Sequence, residues 1–328
     1  MITTLMAFVT IIAPAVTLEI QDTQFLVDGE PTFLLGASYY GALGASEDFV
    51  DRDLQELKKL GFNWIRVWAT WSAFENNISA VDSDGNAREP YLSRLKKLCG
   101  KANELGIIVD VTLSRGGRIV KSGLIPSQKV HLNAVATLTQ ELKQFRNIYI
   151  DLGNERNLKD GRHVPFNELS IMRDRIKELD PERLVTASQA GDISELELRD
   201  FLEIVQVDFI SPHRPRDAKS PHKTAEKTQE YVSQMKEIGR VVPVHYQEPF
   251  RRSFSKWEPK AADFLVDLRN AVKGGAAGWC FHNGDSVRED GGRPRRSFDM
   301  RESEGRMFDQ LDEDERQVVQ QAASILSE

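Results

Sequence analysis

Short apolar, β-branched runs alternate along this chain with longer segments of helical period. The first run is Phe33 to Ala37, followed by a helical segment from Glu47 to Leu60. There Leu54, Leu57 and Leu60 recur at three-residue steps, and Gly61 supplies the stop. Trp64 to Trp68 is the second run, and a long loop leads to a helix over Tyr91 to Leu105, ended by Gly106. The pattern continues with Ile107 to Leu113, a helix around Ser127 to Phe145, Ile148 to Leu152, and a helix at Pro165 to Leu179. Leu184 to Ala187 then precedes a short helix at Ser194 to Leu202, and Val207 to Ser211 precedes one at Pro221 to Ile238. Val241 to Tyr246, a helix at Pro259 to Val272, Ala276 to Phe281 and a terminal helix over Ser303 to Leu326 complete the series.

The count is eight strands, each followed by a helix. Near-continuous apolar strands imply a parallel sheet covered on its outside. Eight such units close most simply into an α/β fold of the (β/α)₈ type, the TIM barrel. An open doubly wound sheet is the alternative, but its dinucleotide-binding form wants Gly-x-Gly-x-x-Gly after the first strand, and none is found there. Leu18 to Thr32, with a turn at Asp28-Gly29-Glu30-Pro31, reads as a β-hairpin ahead of the barrel. No linker or repeat divides the chain, so residues 18–328 are expected to form a single barrel domain.

Composition narrows the picture further. The chain has 328 residues with a net charge of −7, and its mean hydropathy is −0.41 with a pI near 5.6. This acidic balance argues against nucleic acid as the main partner. Two cysteines, Cys99 and Cys280, are too few for a disulfide framework and read as buried free thiols. Leu5 to Leu18 is apolar but too short to span a bilayer, and Ala13-Pro14-Ala15 offers small residues for cleavage. Residues 1–17 are therefore expected to be a secretory signal, giving a secreted or periplasmic protein. No Lys or Arg precedes the run, so an N-terminal strand is the alternative. No membrane span follows, and a monomer is expected.

Candidate chemistry sits at the strand ends. Glu155 closes the fourth strand's run, in Asp151-Leu152-Gly153-Asn154-Glu155, and Glu248 closes the seventh, in His245-Tyr246-Gln247-Glu248. The end of a parallel barrel strand is where barrel enzymes keep their active sites. Two glutamates there can divide the work of glycoside hydrolysis, one as acid/base and one as nucleophile. Each could instead be a loop carboxylate paired with a neighbour such as Arg156 or Arg251. Arg66 lies inside an otherwise apolar strand, where an unpaired charge is costly; Asp110 and Asp151 are structural partners open to it.

On Asn154-Glu155 and Glu248 the chain resembles the clan A glycoside hydrolases, the retaining (β/α)₈ enzymes that include the cellulase-like and mannanase-like family 5. The resemblance runs from about Phe25 to Leu326. It implies that Glu155 is the acid/base, Glu248 the nucleophile, and that β-glycosidic bonds of an oligo- or polysaccharide are cleaved by double displacement without metal or organic cofactor. It further implies that Arg66 steadies the nucleophile, that Asn154 meets the sugar 2-hydroxyl, and that Trp279 floors the cleavage point unless it only packs the core. Tyr39, Tyr40, Trp68, Trp71 and Trp257 are candidates for stacking on sugar faces.

Two departures stand out. Where family 5 enzymes usually have His after strand three, this chain has Leu113-Ser114-Arg115. Where they often show His-x-Tyr after strand six, it has His213-Arg214-Pro215, so His213 matches and Tyr246 is the candidate for the missing tyrosine. Two rivals compete with hydrolysis by paired carboxylates. A metal-dependent hydrolase needs converging His ligands, but there are six histidines, and His131, His163 and His222 fall in loops or helix starts. A glycan-binding barrel without turnover would more readily have lost a carboxylate.

The loops after strands three, six, seven and eight are rich in base: Arg115, Arg118, Lys121; Arg214, Arg216, Lys219; Arg251, Arg252, Lys256; Arg288, Arg293, Arg295, Arg296. Either they pair with rim acids such as Glu75, Asp82, Asp84 and Asp192, or they receive an anionic glycan.

Overall fold

The computed structural model describes residues 15–74, 76–116, 124–159, 161–254, 256–284 and 296–327. Parallel strands Leu34–Ser38, Trp64–Thr70, Ile108–Leu113 and Ile148–Asp151 lie side by side in chain order. The fifth strand is broken: Val185–Thr186 pairs with the fourth strand, and Ser188–Gln189 pairs with the sixth, Ser211–Pro212. A parallel bridge between Ile210 and Val244 joins the sixth strand to the seventh, His245–Tyr246. The eighth, Gly278–Phe281, hydrogen-bonds the seventh on one side and the first on the other. The sheet thus closes as the (β/α)₈ barrel expected from the strand count. Strands six and seven are short because Pro212 and Pro243 lack the N–H a continued ladder would use.

Side chains alternate in and out of such a barrel. In strands one, two and eight the even-numbered positions point inward. Trp64, Leu34, Ile108, Tyr149, Phe209 and Cys280 pack together toward the N-terminal end of the barrel. Room for the Trp64 indole comes from Gly36, where a Cβ would lie 1.8 Å from the ring. Odd positions face the helices: Phe281 meets Phe264 edge-on with centroids 5.6 Å apart.

The helices follow the predicted periods, and two elements, one helix and the N-terminal hairpin, are revised. The terminal helix is two pieces, Met307–Gln310 and Glu313–Ile325. Leu311 is extended, and Asp312 opens a new helix through a reciprocal capping box with Glu315. The N-terminal hairpin is a three-stranded antiparallel sheet, Leu18–Gln21, Gln24–Val27 and Glu30–Thr32. Positive φ at Asp22, Asp28 and Gly29 makes its two tight turns. Its Phe25 is buried edge-on against Phe209 and His245, closing the base of the barrel. Most of the expected signal segment, residues 1–14, lies outside the described residues, and no described helix is long and apolar enough to cross a membrane. Cys99 and Cys280 are free and buried, and burial pushes the Cys99 thiol up to about 12.

Candidate active site

The loop that carries Glu155 is pinned from three sides. Asn154 N–H donates to the Leu113 carbonyl at 2.8 Å, Glu155 N–H to the Ser188 hydroxyl at 3.0 Å, and Arg156 N–H to the Ser188 carbonyl at 2.9 Å. Asp151 accepts from the N–H groups of Gly153 and Ser188, both at 3.1 Å. Arg115, in place of the expected histidine, donates to the carbonyls of Asn154, Glu155 and Leu158. The turn leaves Glu155 at φ +46°, a left-handed conformation uncommon outside glycine.

His131 supports the same loop from the third helix. Arg162 donates to its Nδ1 at 2.8 Å, so the ring proton is on Nε2 and is given to the Leu152 carbonyl at 2.6 Å. Burial, with Arg162 and Arg115 nearby, lowers His131 to about 3. The unfolded chain takes up a proton below pH 6.5 that the folded chain refuses, so stability falls with pH across the window from 6.5 to 3. His131→Gln keeps both hydrogen bonds without the titration. Between pH 7 and 4 the wild type should therefore lose about 2–3 kcal/mol relative to the variant, read from urea unfolding at each pH. Parallel losses in both proteins would exclude this origin.

Glu155 and Glu248 converge at the C-terminal end of the barrel. With His213 they bring donor atoms within 4.8 Å of one another. Glu248 is buried and contacted all round. Its Oε2 accepts from the Tyr40 hydroxyl at 2.8 Å and from Arg66 at 2.5 Å, and its Oε1 accepts from Arg216 at 2.6 Å. His282 Nε2 stands 3.4 Å from Oε1. Burial favours the neutral acid, but His282, His213, Arg216 and Arg66 outweigh it and hold Glu248 well below the usual carboxylate range. His282 is itself lowered, by burial and then by Arg251 and Arg216 against the pull of Glu248. His282 is thus neutral at neutral pH, while Arg66 and Arg216 keep permanent positive charge on Glu248. Arg251 donates to His282 Nε2 at 2.8 Å, which leaves the imidazole proton on Nδ1, 2.7 Å from the Ser38 hydroxyl.

At Glu155, burial also favours the neutral acid. Arg216, 3.1 Å from Oε1, and His213, whose Nδ1 is 3.2 Å from the same oxygen, bring the net value below the ordinary one. Arg216 therefore lies between the two glutamates and bonds both.

Arg66 resolves its alternatives by taking all of them. Its guanidinium reaches Asp110 at 3.1 Å, Asp151 and the Asn154 side-chain oxygen at 3.0 Å each, and Glu248. Burial raises Asp110 to about 7 despite that contact.

The cleft above these groups has a volume of about 580 Å³, and Asn154, Glu155, Glu248, Arg216 and Arg251 line its floor. Aromatic rings form one wall. Trp68 stacks on Tyr40 at 4.6 Å and meets Trp71 edge-on at 4.5 Å, and Trp71 stacks on Phe298 at 5.5 Å.

Three expected site residues point elsewhere. Tyr39 faces outward and donates to Asp53 at 3.0 Å, Tyr246 bonds the Thr228 hydroxyl at 2.6 Å, and the Trp279 indole donates to Asp267 at 2.7 Å. All three point outward, to partners on the helices that surround the barrel. Trp257 packs against Phe250. In their place the site uses Tyr40 and His282. Tyr40 was visible as an aromatic but not as a hydrogen-bond donor to Glu248. His282 carries one sequence signal, two positions beyond inward-facing Cys280.

The basic loops divide as well. Arg214 pairs with Asp192, Arg252 with Asp312 at 2.6 Å and Asp314 at 2.9 Å, and Arg296 with Asp312 and Glu315. Arg118, Lys121, Arg288, Arg293, Arg295 and the rim acid Glu75 lie outside the described residues. Glu155, His213 and Glu248 also form the one metal-ligand trio among the described residues. Glu248 of that trio already accepts from Arg66, Arg216 and Tyr40, and Glu155 from Arg216, which suits an organic substrate better than a cation.

The protein is thus a closed parallel barrel with two carboxylates meeting at its C-terminal mouth. Solved structures share the fold. The endo-1,4-β-mannanase of Rhizomucor miehei superposes with a TM-score of 0.67 at 14% identity, covering 95% of this chain and all of that one. The endo-β-1,4-mannanase of Thermotoga petrophila gives 0.65 at 17% identity, over 91% of this chain and 77% of that one. A glycoside hydrolase family 5 protein from Bacteroides vulgatus gives 0.63 at 15% identity, over 82% and 62%. No protein-family model matches the sequence, and no curated protein matches it.

Proposed function

We propose that this protein is a retaining β-glycosidase acting on an oligo- or polysaccharide, with Glu248 as nucleophile and Glu155 as acid/base. One observation carries the reading: two carboxylates at the barrel mouth, on strands four and seven, with an oxygen of each inside 4.8 Å of the other and one Arg216 nitrogen bonding both. Retention needs carboxyl groups roughly 5–5.5 Å apart, and inversion needs about 6.5–9.5 Å to admit a water. The mannanases and the family 5 protein among the fold's neighbours point the same way.

In the first step a Glu248 oxygen bonds the anomeric carbon as the bond to the leaving oxygen breaks, and Glu155 gives that oxygen its proton. Water then attacks the same carbon, Glu155 takes the water's proton, and Glu248 departs. Tyr40 and Arg66 share the charge on Glu248 in the free state and receive it back at the end. Asn154, its amide oxygen held by Arg66, has an NH₂ group to offer the 2-hydroxyl. Trp68 and Trp71 give the apolar faces of the sugar a wall to stack on. The apolar N-terminal run fits export to where polysaccharides are met.

The test is the anomer first released. Proton NMR within the first minutes of hydrolysis should show the β-anomer, followed by mutarotation. Release of the α-anomer first would replace double displacement with inversion. Turnover-free binding would instead leave a lectin-like barrel.

A further inference from the structure

Arg216 stands where a substrate's anomeric carbon must come. One nitrogen of its guanidinium donates to both glutamates, at 2.6 Å and 3.1 Å, while Nε donates to the Pro249 carbonyl at 3.2 Å and fixes the root of the group. No sugar can meet Glu155 and Glu248 together until this contact opens. Opening it strands a cation in a mostly buried cleft, which is costly unless a new anionic partner replaces the old ones.

Arg251 lies beside it. It is 8% exposed, its Nε has no hydrogen-bond partner among the described residues, and its polar contacts there are the neutral imidazole of His282 and, at 3.7 Å, the Glu248 oxygen that Arg216 already holds. Burial, with the Arg216 charge next in weight, lowers Arg251 to about 10. Both guanidinium groups lie over the ring of Phe254, 4.4 Å and 4.8 Å from its centre, and Phe254 is half exposed at the cleft. The neighbouring Arg214 is matched by Asp192 and Arg66 by three carboxylates. Among the described residues the cleft therefore holds two adjoining arginines with donors to spare.

We propose that the sugar bound at the cleavage point carries an oxyanion, a carboxylate or a sulfate ester, which Arg216 and Arg251 grip together. This deepens the glycosidase reading and rests on it. The oxyanion gives Arg216 a reason to leave the glutamates, because arginine forks match planar or tetrahedral oxygens and two forks flank one group. Departure of Arg216 also removes the main charge holding Glu155 down, so burial then lets Glu155 hold the proton it must donate. A neutral sugar supplies no such replacement. Arg216 in this account is a specificity residue that couples substrate charge to protonation of the acid.

The experiment uses the whole chain and thio-linked oligomers, which bind but resist hydrolysis. β-1,4-Glucan and β-1,4-mannan oligomers are compared with the same oligomers oxidised to carboxylate at C6 and with their 6-sulfates, by calorimetric titration. At least one charged form should bind ten-fold or more tighter than its neutral parent, and the better of the two names the oxyanion. That preference should shrink as salt rises and fall toward unity in Arg251→Met. Should that variant fold poorly, Arg251→Lys, which keeps charge without the fork, should lose part of the preference. Equal or tighter binding of the neutral oligomer overturns the proposal, as does an Arg251 variant that weakens both alike, or failure of every oligomer to bind. The same polymers with ordinary linkages separate the two readings. Neutral polymer cut as fast as charged sinks this inference and leaves the glycosidase. A ten-fold affinity preference with no cleavage of any polymer sinks the glycosidase and leaves the oxyanion site.

Discussion

Replacing Glu248 by glycine should lower the hydrolysis rate by on the order of 10⁴-fold or more, because in the proposed mechanism the covalent step loses its nucleophile. Its buried cage should survive as a small hole lined by Tyr40, Arg66 and His282. Azide can enter that hole and attack a substrate with a good leaving group, yielding the α-glycosyl azide. The same anion added to Glu155→Gly should give the β-azide, because there the glycosyl-enzyme forms and azide replaces water. Opposite anomers from the two variants would assign the roles of the two glutamates independently. A Glu248→Gly protein that turns over at near wild-type rate, or gives the β-azide, would remove the assignment.

Arg66→Met should be the most destabilising change in the site. Its guanidinium touches Asp110, Asp151 and Glu248 from a fully buried position. Removing it leaves carboxylates uncompensated in the barrel, a loss of about 3–5 kcal/mol for breaking a buried pair from one side. Arg66→Lys should recover only part of this, because a point charge cannot reach three partners at once. Activity per folded molecule should fall in both, with Glu248 titrating higher. Guanidinium unfolding together with the acid limb of the pH–rate profile reads the two effects. An Arg66→Met protein as stable as wild type would mean that the carboxylates take up protons and relax instead.

The strand count, the closure and the positions of the two glutamates were legible because parallel barrel strands are apolar on both faces and end abruptly in polar loops. That same apolarity hid which way each residue points. Tyr39 and Tyr40 are equal candidates in the sequence, yet neighbours on a strand face opposite ways, and it is Tyr40 that enters the barrel. Trp279 falls on the odd, outward positions of strand eight, opposite in parity to Cys280 and His282. Tyr246 is two residues before Glu248, which would share a face in a regular strand. The strand stops at Tyr246, however, so the alternation is lost before Glu248 is reached. Arg216 was legible as a loop base and nothing more, since its place between the glutamates depends on the path of a loop.

The left-handed backbone at Glu155 sets one part of the molecule against another. A side chain in that conformation costs about 1–3 kcal/mol that a glycine would avoid. Laboratory selection for heat resistance alone would thus be drawn to glycine at the position proposed to supply the proton. The sturdiest descendants of this chain would then be the idle ones, and a library screened for melting temperature needs an activity gate at residue 155 from its first round.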